Sequence, residues 1–261
     1  MDLGITGRTA LVTGAGGGLG SAISLALARE GAHVIGADIS AGALQTLDAA
    51  MRAENLRFDA VPFDLADPQA LRAGIDQVRD KAGSPDILVN NTGGPPPLAV
   101  TELSAENWQT WFEAMVTPVI TMTDLLLPAM RAAGWGRIIT SASSGVITPI
   151  PNLGLSNSLR SALVGWSKTL AGEIAGDGVT ANVVVPGRIA TPRIAALDKA
   201  RAQREGITVE EAARASTVGI PVGRYGRPEE YASLVTYLAG DPASFITGSI
   251  IRCDGGMIPS I

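Results

Sequence analysis

The stretch Thr13-Gly14-Ala15-Gly16-Gly17-Gly18-Leu19-Gly20 restricts what this chain can fold into more than any other. It comes after a short apolar run, residues 9–12, and opens a helical pattern that begins near Leu19. Glycines let a backbone turn tightly and approach a phosphate, while the free amides and positive dipole end of the next helix hold negative charge. A merely flexible turn between a strand and a helix has the same composition, so the elements downstream of Gly20 have to decide between the two.

Downstream, strands and helices continue to alternate. Leu19, Ile23, Ala26 and Leu27 recur at helical spacing, and Gly31 stands beyond the end of that helix. The strand at 33–37 ends at Asp38, twenty residues beyond Gly18, where a dinucleotide-binding fold places an acid against the ribose hydroxyls. A helix over 41–52 leads to a strand at 58–63 closed by Asp64, and Pro68 opens a helix to 81. The strand at 86–91 runs into Thr92-Gly93-Gly94-Pro95-Pro96-Pro97, where the prolines forbid helix. A long helix is expected over 104–131, with Glu106 and Asn107 near its start and Pro118 as a kink point.

Further strands are expected at 136–142, 179–185 and 249–252, and helices at 153–174 and 228–238. The charged stretch within 191–219 reads either as small helices forming a substrate lid or as a solvated helical hairpin. Seven strands alternating with helices, without repeat or linker, imply one α/β domain over 1–261: a doubly wound, parallel, seven-stranded, Rossmann-type sheet. Its ligand crevice lies at the carboxyl ends of the strands, where Asp38, Asp64, Asn91, Ser143 and Pro186 fall.

The composition narrows the partners. Hydrophobic residues make up 46% of the chain and the formal charge is −5 with no basic block, so neither nucleic acid nor an anionic membrane surface is expected. No uninterrupted apolar run reaches the length of a membrane span. One cysteine, Cys253, and a start without a signal run fit a reducing cytoplasm, and the lone His33 and Cys253 argue against a metal site.

Four motifs carry a resemblance: Thr13-Gly14-x-x-x-Gly18-x-Gly20, Asn90-Asn91-Thr92-Gly93, Pro186-Gly187 and Asp254-Gly255-Gly256. In their order and spacing the whole chain resembles the short-chain dehydrogenase/reductase family, especially bacterial 3-oxoacyl-acyl-carrier-protein-reductase-like members. The resemblance implies a dinucleotide on Gly14, Gly17, Gly18, Leu19 and Gly20. It implies that Asp64 and Leu65 meet the adenine, Asn91 and Gly93 the adenosine ribose side, and Pro186, Gly187, Ile189 and Thr191 the nicotinamide.

The 2′-phosphate of NADP needs a cation and is repelled by a carboxylate, whereas a ribose diol hydrogen-bonds to one. Asp38 therefore favours NAD, and Gly17 and Ile39 stand where the family puts a basic residue for NADP. The alternative for Asp38 is a solvated acid in the turn before Ser40.

The catalytic positions depart from the family. Its Ser is present as Ser143, but its Tyr-x-x-x-Lys pair reads Ser156 and Arg160, and its helical Asn falls on Met115. An alcohol is a far weaker acid than a phenol of pKa about 10, and a guanidinium holds ribose hydroxyls without relaying a proton. Tyr225 is the one tyrosine whose position, after 191–219, brings it toward the crevice; a packed turn at 223–226 is the plainer reading.

Two functions compete. The first is an NAD(H)-dependent oxidoreductase for an alcohol/carbonyl pair, with Ser143 polarising the substrate oxygen, Arg160 on the ribose, and water or a substrate group carrying the proton. The second is an NAD-binding, non-catalytic homologue acting as a sensor or oligomer partner. The resemblance further implies a homotetramer built on the two long helices. Pro95–Pro97, Ile147, Ile150 and residues 189–197 imply a small, apolar substrate.

Overall fold

The computed structural model describes residues 1–261. Its chain runs β1 (Thr9–Thr13), α1 (Gly18–Arg29), β2 (His33–Asp38), α2 (Ala41–Ala53), β3 (Phe58–Pro62), α3 (Pro68–Ala82) and β4 (Ile87–Asn90). It continues with α4 (Ala105–Met115), α5 (Thr117–Ala133), β5 (Gly136–Ser141), α6 (Gly154–Ile174), β6 (Val179–Pro186), α7 (Pro192–Glu205), α8 (Val209–Thr217), α9 (Pro228–Leu238) and β7 (Ile250–Cys253).

The strands form one parallel seven-stranded sheet in the order β3-β2-β1-β4-β5-β6-β7. Successive strand side chains point to opposite faces, and in β1 both faces are buried. Ala10 and Val12 pack with α1, α2 and α9, while Leu11 packs with α3, α5 and α6. That two-sided burial explains why the strands read as nearly continuous apolar runs. After β3 the chain returns to the other side of β1, so the sheet's direction of growth reverses between β1 and β4, and a crevice opens at their carboxyl ends.

The seven strands and the single α/β sheet agree with the sequence pattern. The long helix expected over 104–131 does not form as one piece. It breaks at Val116 (φ −103°, ψ −55°) into α4 and α5, because Pro118 in the first turn of α5 has no amide hydrogen to continue the ladder. Ser104 and Asn107 close the start of α4 with reciprocal hydrogen bonds. By length and mean hydropathy (1.2) the segment Ala105–Ala133 is long and apolar enough to cross a membrane, although polar residues interrupt it throughout. Here it is split in two and packed on the sheet and α6.

The stretch 191–219 forms the helices α7 and α8. Their interface buries Ala202 and Ala212 around Asp198, which is 3% exposed and accepts hydrogen bonds from Ser216 Oγ (3.2 Å) and Tyr225 Oη (2.7 Å).

Candidate active site

The glycine turn is braced from β4. Asn91 donates from its amide to Thr13 Oγ1 (2.9 Å) and from Nδ2 to the carbonyls of Thr13 (3.2 Å) and Gly14 (3.3 Å). Gly14 has φ +58°, and a Cβ there would lie 2.6 Å from Asn91 O, so both conformation and space call for glycine. A Cβ on Gly20 would collide with the Gly14 carbonyl, and one on Gly18 would lie 2.9 Å from Thr191 Cγ2. At the start of α1 no side chain caps the amides and no acid stands in the first turn. Bare amides at a helix N-terminus under a glycine cradle suit a pyrophosphate.

Asp38 closes the other side of the turn. Its Oδ2 accepts from Gly16 N–H (3.0 Å) and its Oδ1 from Ser40 N–H (2.9 Å), leaving lone pairs on both oxygens. Ile39 beside it is 71% exposed, and no cation pairs with the carboxylate. Asp64 Oδ1 accepts from Ala66 N–H (2.8 Å), and Leu65 lies half-buried against the core. Three polar atoms near the strand ends are buried without partners: Asn90 Oδ1, Thr92 Oγ1 and Asn157 Oδ1. The cradle, the half-used carboxylate and these orphaned atoms fit a dinucleotide.

Ser143 lies just past β5, and its Oγ accepts from Gly145 N–H (3.2 Å). Ser156 and Arg160 lie one turn apart on α6, exposed to 7% and 8%. Arg160 spans the strand ends: Nη1 donates to Ser141 O (3.0 Å), and Nη2 to Thr92 O (3.1 Å) and Gly93 O (3.0 Å). Those bonds use part of its five-donor fork. Burial, and next Arg193, push its pKa down to about 10 against the opposing pull of Tyr231, so it stays cationic at neutral pH. Met115 is 1% exposed in a cluster with Val119, Leu155, Leu159 and Leu163, which makes it part of the α4–α6 core.

Beyond β6, Gly187 N–H donates to Cys253 O (2.9 Å), and a Cβ on Gly187 would strike Asp254. Ile189 is buried, and its chain pairs with Gly226. Thr191 caps α7 and rests against Gly18. Thus the glycine turn, Asp38, Asn91, Gly93, Arg160, Pro186, Gly187 and Thr191 gather at one rim, while Met115 and Ile189 are core. The Tyr225 hydroxyl donates to Asp198 Oδ2 (2.7 Å), so it is employed in the packing beside α7 and α8.

Two features carry no signal in the sequence. Tyr231 on α9 is fully buried, with Oη 2.8 Å from Ser141 Oγ and donating to Val184 O (3.3 Å). Burial raises its pKa, so this phenol stays protonated and ties α9 to the ends of β5 and β6. Arg193 in the first turn of α7 borders a cleft of about 410 Å³ between Gly94–Pro97 and the side chains of Ala196 and Leu197. Spacing marks neither residue, since an aromatic on an apolar helix face and an arginine in a charged stretch are both ordinary. Another cleft, of about 440 Å³, lies between Met1, Leu3 and the outer faces of α1 and α9, away from this rim.

A family model described as enoyl-(acyl carrier protein) reductase matches residues 14–258. The chain is 35% identical over 253 residues to 3-oxoacyl-[acyl-carrier-protein] reductase FabG of Escherichia coli, covering 96% of this chain and 97% of that protein. It is 32% identical over 255 residues to D-beta-hydroxybutyrate dehydrogenase of Cupriavidus necator, covering 97% and 99%. L-sorbose reductase from Gluconobacter frateurii, solved with NADPH and L-sorbose, superposes with a TM-score of 0.95 at 32% identity over 100% of both chains.

Proposed function

Because this chain belongs to the short-chain dehydrogenase/reductase family, an oxidoreductase family with a nicotinamide cofactor, we propose that it interconverts an alcohol and a carbonyl with NAD(H). The cofactor, when bound, supplies or accepts the hydride. The observation that carries the choice of NAD is Asp38, whose carboxylate is anchored by Gly16 and Ser40 and has no cation beside it. A 2′-phosphate would meet that charge unpaired, whereas a ribose diol donates to it. The L-sorbose reductase holds NADPH, so the preference for NAD rests on this chain's own residues.

The proton is handled unusually in this reading. Ser143 donates its hydroxyl hydrogen to the substrate oxygen, and the remaining N–H groups of Arg160 meet the nicotinamide ribose. No phenol stands at position 156, so water or a group on the substrate carries the proton. Residues 191–219 act as the lid, the protein works in the cytoplasm, and four copies associate through α4, α5 and α6. The competing reading, a non-catalytic NAD binder, draws on the structural employment of Met115 and Arg160.

Fluorescence titration with NADH and NADPH, then steady-state assays over hydroxy and oxo compounds, tests this proposal. NADH is expected to bind at least about tenfold more tightly than NADPH, and Asp38→Ala to erase that preference. Equal preference in the parent protein would overturn the NAD assignment. Tight NADH binding with no turnover on any substrate would leave the binder.

A further inference from the structure

The cleft beside the proline loop is mostly apolar except at one point. Arg193 and Arg160 flank Gly94 there: a Cβ on Gly94 would lie 3.3 and 3.5 Å from the two terminal nitrogens of Arg193 and 3.7 Å from Arg160 Nη2. Neither guanidinium has a carboxylate partner, for the ion pairs of the protein lie elsewhere. The carbonyls around Arg160 take three of its five N–H groups and leave its net charge intact. Arg193 makes no such bonds and lies in a helix first turn that holds no acid, where the helix dipole adds to the positive field.

This arrangement is unfavourable for the protein alone. Two like charges are held close together, Arg160 buried and Arg193 exposed at the edge of the cleft, in a chain whose net charge is −5. An anion in the cleft would offset the repulsion that Arg160 bears and give Arg193 a partner. An arginine fork matches a carboxylate in two parallel hydrogen bonds, and Pro95–Pro97 with Ala196 and Leu197 offers an apolar wall beside it.

We propose that Arg193 determines substrate specificity by binding the carboxylate of a small hydroxy or oxo acid, whose apolar body lies along the proline loop and Leu197. This rests on the oxidoreductase reading and deepens it. The substrate is then amphipathic rather than wholly apolar, with Arg160 contributing field and Arg193 direct contact.

The test is calorimetric titration of the full-length protein, with and without saturating NAD, using 3-hydroxyhexanoate and its methyl ester. The two probes differ in charge and share the apolar body. The acid is expected to bind at least about tenfold more tightly than the ester. Arg193→Leu should erase that ratio, and Arg193→Lys should restore part of it, with the thermal midpoint and NADH affinity unchanged in both. Equal binding of acid and ester, or no binding of the acid, overturns the proposal. So does an Arg193→Leu protein that keeps the ratio but loses NADH affinity, which would put Arg193 on the cofactor phosphates. Failure of NADH to bind the parent protein would sink the oxidoreductase reading separately, since the titrations without NAD still judge the anion site.

Discussion

Arg160 shows how one side chain can hold a site together without entering its chemistry. Its Nη groups join Thr92 and Gly93, just past β4, to Ser141 at the end of β5. Methionine at this position would fill similar space and leave those carbonyls without donors. Arg160→Met is therefore expected to lower stability by about 2–4 kcal/mol, read from urea unfolding, and to loosen the loop that faces the dinucleotide. The position of Arg160 one turn after Ser156 was legible in the sequence, as were the glycines and Asp38, because they occupy fixed offsets from strand ends. The carbonyls that Arg160 holds were not legible, since a backbone carbonyl carries no residue identity. Tyr231 was hidden for a related reason: its partner, Ser141, is 90 positions away in the chain.

Among the elements, the break between α4 and α5 was signalled by Pro118, yet apolar residues continue through it, so hydrophobic pattern alone reads one helix. The start of α9 carries a sharper local device. Glu230 accepts from the Arg227 backbone N–H (2.7 Å) and from both terminal nitrogens of Arg224 (2.7 and 2.8 Å). The Arg224 guanidinium, and then the Arg227 amide, pull the Glu230 pKa down to about 2. A carboxylate whose folded pKa lies below its unfolded value stabilises the fold above the unfolded pKa, and that contribution fades as pH falls toward the folded one. The parent protein should thus lose part of its stability between about pH 4.5 and 2, and Glu230→Gln should flatten that segment. Thermal midpoints at pH 5 and pH 3 for both proteins check this. A midpoint difference between the two that does not narrow at the lower pH would count against the role given to Glu230.

At the scale of the molecule, the sheet was readable because alternating strands and helices with right-handed crossovers leave few topologies. The packing of α7 on α8 was not, because the charged stretch gave no sign that Asp198 would be buried as the partner of Tyr225 and Ser216. Assembly belongs to this scale too. Trp108, Trp111 and Trp166 are only partly covered by their own chain, and Phe112 is 43% exposed on α4. Light scattering is expected to give a tetramer, and Phe112→Glu to shift it to smaller species without unfolding. A monomeric parent protein would refute the assembly.

The contact between Thr191 and Gly18 bears on how two ligands share the protein. Thr191 rests on the glycine turn, and two residues later Arg193 faces the cleft across Gly94. One short segment therefore borders both the glycine turn and the cleft, so a ligand that repositions it at one would be felt at the other. Thermodynamic linkage makes that influence mutual: if the dinucleotide tightens the hold on the second ligand, the second ligand tightens the hold on the dinucleotide by the same factor. If both ligands bind as proposed, the place where the occupancy of one would be felt by the other is the contact of Thr191 with Gly18.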